Sequence, residues 1–171
     1  TGDILLMREA AIGAEENAIE LGQRLSRMGA ELLVETLRGL EAGSIVPRKQ
    51  DDAAASLAPI LKKEDGVIDW NLPAQRIHCR VRGLLPWPGC YTMFRGQRLH
   101  VWKARLSGDE ASLPPARIYG RNSRLFASCG SGTELELLEV QLEGRKRIDG
   151  NAFLNGHRLV QYEELGGETN R

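Results

Sequence analysis

A length of 171 residues with 42% apolar content allows one substantial domain or two small ones around a packed core. Lys and Arg total 23 and Asp and Glu total 23, so net charge by itself argues against a polyanionic partner. No apolar run approaches the roughly 20 residues that a spanning helix needs, and no basic-then-apolar leader opens the chain. A cytoplasmic protein without membrane attachment is expected.

In chain order, Thr1-Gly2-Asp3 leads without an initiator methionine into Ile4 to Met7, which reads as a buried strand. From Glu15 to Ala42 apolar residues recur at Ala18, Leu21, Leu25, Met28, Leu32, Leu33, Leu37 and Leu40, a helical spacing. Glu15 and Glu16 suit its N-terminus. Glycine costs about 1 kcal/mol relative to alanine inside a helix, so a break is predicted near Gly29 and a stop at Gly43, with the apolar stripe buried as core. Ser44 to Trp70 loses clear periodicity and reads as a linker draped over a surface. Pro73 then suits the first turn of a second helix with Ala74, Ile77, Val81 and Leu84 inside and Arg76, Arg80 and Arg82 towards solvent. Pro86-Trp87-Pro88-Gly89 ends it.

Five runs with strand character follow, at Tyr91 to Phe94, Leu99 to Leu106, Ala116 to Tyr119, Leu125 to Cys129 and Leu135 to Leu142. Arg95-Gly96-Gln97 and Gly130-Ser131-Gly132 read as hairpin connections, and Gly108 to Pro115 as a longer exposed loop. A small closed or nearly closed barrel of the oligonucleotide-binding (OB) type fits best, with a sandwich also compatible. Asp149 caps a short terminal helix through Leu154, and Gly166 to Arg171 is a polar tail.

Cys79, Cys90 and Cys129 are odd in number and form no C-x-x-C pair, which predicts free, mostly buried thiols and no metal site. Asp65 and Asp69 lie four apart but have no catalytic partner nearby, and Asp69 before Trp70 suits a turn or cap better. His78, His100 and His157 read as core or surface histidines. Charge is unevenly distributed. Residues 57 to 106 carry 9 Lys and Arg against 3 Asp and Glu, whereas residues 1 to 56 carry 6 against 10 and residues 107 to 171 carry 8 against 10. The basic island comprises Lys62, Lys63, Arg76, Arg80, Arg82, Arg95, Arg98, Lys103 and Arg105. On one face it would attract phosphates and release condensed counterions; otherwise it is an ordinary solvated surface.

Several segments carry a resemblance: Thr1-Gly2-Asp3-Ile4-Leu5, Gln50-Asp51-Asp52, Ala58-Pro59, Leu61 to Gly66, and Ile68-Asp69-Trp70. Further matches are Arg80-Val81-Arg82-Gly83-Leu84 with Pro86 to Gly89, Val101-Trp102-Lys103-Ala104, and Gly144 to Ile148. In this order they resemble the C-terminal portion of the methionyl-tRNA formyltransferase family. The resemblance implies an α+β chain: residues 1–43 a helical remnant of a Rossmann-like formyltransferase domain, 44–72 a linker, 73–165 an OB-like barrel of five to six strands with a short C-terminal helix, and 166–171 a tail. It implies formyl transfer from 10-formyltetrahydrofolate to the amino group of initiator methionyl-tRNA in translation initiation. The Asn, His and Asp that conduct this chemistry are expected before Thr1, which leaves no catalytic residue and no bound folate in this chain.

The resemblance assigns to this chain the gripping of the tRNA acceptor arm, by Lys62 and Lys63 first, then Arg145, Lys146 and Arg147, then Arg80 and Arg82. A solvated turn balancing Glu139 and Glu143 is the plainer reading of Arg145 to Arg147, and stacking on Trp87 that of Arg82. Trp70 and Trp87 are expected as packing anchors at the domain junction. Two alternatives stand beside this one: a fragment of a formyltransferase acting on an amino-sugar nucleotide, which would not need the basic island, and a free-standing nucleic-acid-binding module. An opening strand and helix without partners predict self-association through residues 1–42 or partial disorder there.

Overall fold

In a computed structural model, which describes residues 2–159 and 163–166, the chain separates into two compact units, Thr1–Ile60 and Leu61–Arg171. Helix α1, Ala18–Glu41, dominates the first. Asn17 caps it: Oδ1 accepts from the amides of Ile19 and Glu20 at 2.9 and 3.1 Å, while the Glu20 carboxylate accepts from the Asn17 amide at 3.0 Å. The helix therefore starts three residues beyond Glu15, and Glu16 instead pairs with Arg24 at 2.7 Å. No break occurs at Gly29. Interrupting the helix would orphan about four backbone groups on each side, which outweighs roughly 1 kcal/mol for one glycine. Gly43, with φ of +65°, follows the Ala42 cap and ends the helix where expected.

Two expectations for this unit are corrected. Ile4 to Met7 is not a buried strand: Ile4 exchanges two backbone hydrogen bonds with Arg48, at 2.8 and 2.9 Å, and Met7 is 62% exposed. The apolar stripe is not core either, because no residue of α1 is buried and Leu25, Leu33, Val34, Leu37 and Leu40 are exposed. Amphipathic spacing says that a face is to be covered but not by what, and this unit supplies no second layer.

The second unit begins with a 3-10 turn, Lys63–Gly66, in which the Asp65 carboxylate accepts from the Lys62 amide at 2.6 Å. Trp70 is buried and its Nε1 donates to Thr92 Oγ1 at 3.0 Å. Helix α2, Ala74–Gly83, buries Ala74, Ile77, His78 and Val81. The Pro86 and Pro88 peptide bonds are both cis. Trp87 is no packing anchor, being 56% exposed in a turn whose only apolar neighbours in sequence are prolines and leucines.

The sheet comprises β1 Cys90–Phe94, β2 Gln97–Glu110, β3 Arg117–Arg121, β4 Arg124–Ser128, β5 Thr133–Leu142, β6 Ile148–Asp149 and β7 Glu163–Glu164. All pairs are antiparallel, in the order β1-β2-β5-β4-β3-β7 with β6 also on β5. Phe94, Leu99, Val101, Leu135, Leu137 and Val140 turn inward to the core, the alternation being reset by a register shift between β2 and β5 around Lys103. Gly166 donates to the Met93 carbonyl at 2.9 Å and Leu165 to the Ala116 carbonyl at 2.8 Å, so one segment ties β1 to the start of β3. Helix α3, Gly150–His157, is capped by Asp149 and seats the buried Phe153 against Phe94. The strand β2 outruns its predicted end. A register shift around Gly108, whose φ is +79°, absorbs the glycine as a bulge and keeps Glu110 opposite Thr133, so the loop before β3 is shorter than read.

Gly130 sets the approach of the α2 lead-in to the sheet. Its amide lies 2.9 Å from the carbonyls of both Trp70 and Leu72, and a β-carbon there would collide with the Asn71 carbonyl oxygen. Gly130→Ala is expected to destabilise this unit by about 2 to 3 kcal/mol, measured by urea unfolding, because backbone rather than a side chain must move.

Candidate nucleic-acid interface

The outward residues of β1 and β2 form a ladder of rings between cations. Alternation places Arg98, His100 and Trp102 on one face of β2, with Tyr91 opposite His100 across the β1–β2 pair. The Arg98 guanidinium lies 4.6 Å from the Tyr91 ring centre, and Tyr91 lies 5.7 Å from His100. His100 stacks on Trp102 at 5.7 Å with planes 19° apart, and the Arg147 guanidinium sits 4.1 Å from the Trp102 ring. Trp102 Nε1 donates to Gln141 Oε1 at 2.8 Å, and Gln141 Nε2 donates to the Arg145 carbonyl at 2.7 Å. Burial, then the Arg98 charge, holds the His100 imidazole below its usual pKa; Lys63 pushes the same way and Glu143 against it. Lys63, Arg98 and Arg147 thus border one ladder.

The basic turn and the basic loop are the exposed parts of this edge. Lys62 and Lys63 stand exposed at the 3-10 turn, and Arg145, Lys146 and Arg147 stand exposed in the loop between β5 and β6. Among the described residues, Lys62, Lys63, Arg145 and Lys146 have no ion-pair partner, whereas Arg147 meets Glu139 at 3.4 Å. Arg80 is half-buried and donates to the Asp65 carbonyl, which joins α2 to the Lys62–Asp65 turn. None of these contacts involves Arg82, whose guanidinium reaches Cys79 Sγ at 3.7 Å.

Structure narrows the basic island. Arg95 pairs with Glu163, Arg98 with Glu143 at 3.7 Å, and Arg105 with Glu136 at 2.7 Å. Their acidic partners all lie outside residues 57 to 106, so counting charge along the chain overstated the field available to a phosphate. A second cluster lies on β2 to β5. Buried Glu134 accepts from Ser107 at 2.6 Å and from Tyr119 and Arg121, and Glu136 accepts from Arg105 and Arg124. Burial raises the Glu134 carboxyl, but the three hydrogen bonds outweigh it and hold it below the usual range. The Arg124 hydrogen bond, opposed by burial and supported by Arg105, does the same to Glu136. This face is internally neutralised and makes a poor anion site.

Asp69 has the cap role expected of it, its Oδ1 accepting from the Asn71 amide at 3.0 Å, and Asp65 caps the turn at Lys62. All three cysteines are free, Cys79 exposed and the other two buried; burial raises Cys90 to about 11 and Cys129 to about 12. Among the described residues no helix is long and apolar enough to cross a membrane, and no group of three or more His, Cys, Asp or Glu could hold a metal. Sequence reasoning missed Tyr91, Arg98, His100 and Trp102 as a unit. The period-two run of cationic and aromatic residues at 98, 100 and 102 was the available signal.

The family described as formyl transferase, C-terminal domain, matches residues 60–158. The methionyl-tRNA formyltransferase of Solibacter usitatus is 60% identical over 167 residues, 97% of this chain and 53% of that protein. That of Koribacter versatilis is 46% identical over 166 residues, with the same shares. The chain therefore spans about half the length of the curated relatives it matches. Among solved structures, a HypX variant from Aquifex aeolicus superposes with a TM-score of 0.64 at 15% identity, over 90% of this chain and 28% of that one, which is a likeness of fold.

Proposed function

The chain belongs to the formyl transferase C-terminal domain family, and from that premise we propose that it is the tRNA-gripping portion of a methionyl-tRNA formyltransferase. The whole enzyme would transfer the formyl group of 10-formyltetrahydrofolate to the amine of initiator methionyl-tRNA in the cytoplasm. In this reading residues 1–43 complete a Rossmann-like formyltransferase domain, 44–72 are its linker, 73–165 an OB-like barrel, and 166–171 a tail. The uncovered apolar side chains of α1 support self-association through residues 1–42 when the chain is alone.

The observation that carries the proposal is the exposed, unneutralised state of Lys62, Lys63, Arg145 and Lys146 beside the ladder, whereas the sheet arginines Arg95, Arg98, Arg105, Arg117, Arg121 and Arg124 are all paired with carboxylates. Cations without protein partners are the ones that can exchange condensed counterions for phosphates, which gives affinity and register without reading sequence. Arg80, anchored to the Asp65 carbonyl, holds the lysine turn in place, and Arg82 is assigned to the same arm. An amino-sugar nucleotide would leave most of this edge unused. Binding of initiator tRNA to the 171-residue chain across a salt series tests the reading. A logarithm of affinity that falls steeply with the logarithm of salt supports it. Absence of binding by the folded chain would overturn it.

A further inference from the structure

Three adjacent cations at 145 to 147 repel one another, and long basic side chains lose considerable rotamer freedom when a ligand orders them. The loop that carries them has few anchors. The Arg145 amide donates to the Leu142 carbonyl at 2.9 Å, Gly144 turns the chain with φ of +73°, and the Arg147–Glu139 pair is long at 3.4 Å. Glu143, ahead of the cations, is held by its amide to the Arg98 carbonyl at 2.9 Å, and the restraints on Arg145 and Arg147 themselves converge on one side chain. Trp102 receives the Arg147 guanidinium on its ring at 4.1 Å, and its Nε1 orients Gln141, whose amide holds the Arg145 carbonyl. His100 stacked on the same ring, and Tyr91 beyond it, stiffen the platform.

We infer that Trp102, acting with Gln141, is a positioning residue for RNA phosphate, pre-ordering the Arg145–Arg147 loop before the nucleic acid arrives. The inference deepens the tRNA-binding reading and rests on it. A ring already engaged by a guanidinium and an imidazole is committed to protein partners, so its contribution reaches RNA through Arg147 and the loop backbone rather than by stacking on a base. Pre-ordering lowers the conformational cost of binding without adding a contact.

The test is initiator-tRNA affinity over a salt series, with melting temperature, for the 171-residue chain. Trp102→Leu removes ring and donor, whereas Trp102→Phe keeps a ring and loses the donor. Gln141→Ala severs the loop tether from a partly exposed strand position and covers the case in which Trp102→Leu does not fold. Trp102→Leu is expected to weaken binding about five- to tenfold, and Gln141→Ala about threefold with an unchanged melting temperature. Trp102→Phe should fall between wild type and Trp102→Leu. In an Arg145→Ala/Arg147→Ala background, neither Trp102→Leu nor Gln141→Ala should weaken binding further. An undiminished effect in that background, or full affinity in Gln141→Ala, overturns the inference while leaving tRNA binding standing. Failure of the wild-type chain to bind overturns both.

Discussion

Replacing Arg145, Lys146 and Arg147 together by alanine is expected to weaken initiator-tRNA binding by about a hundredfold at near-physiological salt, and to flatten the salt slope by about 2 to 3. Each cation that meets a phosphate releases close to one counterion, so the slope counts contacts while the affinity records their sum. All three side chains are exposed, and among the described residues the one ion pair lost is Arg147–Glu139 at 3.4 Å. Exposed pairs contribute about 0 to 1 kcal/mol, so thermal stability should scarcely change. Lys62→Ala/Lys63→Ala should flatten the slope by about 2 in the same way. Unaltered slopes in both variants would remove these residues from the interface.

Glu134→Ala is expected to produce the largest loss of stability among single changes outside the hydrophobic core. The side chain is fully buried and takes hydrogen bonds from Ser107, Tyr119 and Arg121, with Arg121 also 4.4 Å from the Phe126 ring. Truncation strands three half-buried donors. Breaking a buried ion pair costs about 3 to 5 kcal/mol, and the lower end applies because Arg121 is 39% exposed and can rehydrate. A fall in melting temperature of about 10 °C or more should follow.

The same carboxylate makes stability depend on acid. The folded state holds Glu134 below the ordinary carboxylate range, so its contribution is complete above the unfolded value near ~4.3 and disappears as pH falls through the lower folded value. Glu134→Gln cannot respond in this way. The stability gap between wild type and that variant should therefore narrow below about pH 4. Parallel stability curves down to strong acid would show that the network does not favour the charged form.

Strand positions were legible where alternation has a local cause: burial follows a period of two along β1 and the first half of β2, whereas β5 is buried at Glu134 through Leu137 in succession and was read from its apolar residues instead. The extent of β2 was less legible, since Gly108 signals a turn and a bulge alike, and only pairing of Glu110 with Thr133 separates them. Start and continuity of α1 turned on the Asn17 cap, which Glu15 and Glu16 obscured, and on the cost of creating new helix ends at Gly29. The interface was legible in residue type but not in arrangement. Arg105 and Glu136 stand 31 residues apart in sequence, so no local count could reveal that the one cancels the other. Arg147 likewise reaches Trp102 only after β2 and β5 have paired.

Hydroxyl-radical cleavage of initiator tRNA with and without the chain locates the contact most directly. A phosphate-gripping edge built from the Lys62 turn and the Arg145–Arg147 loop predicts protection of riboses along the acceptor arm, lost when both basic segments are replaced by alanine. Protection centred on the anticodon arm, or spread evenly over the molecule, would contradict the assignment of this edge to acceptor-arm binding.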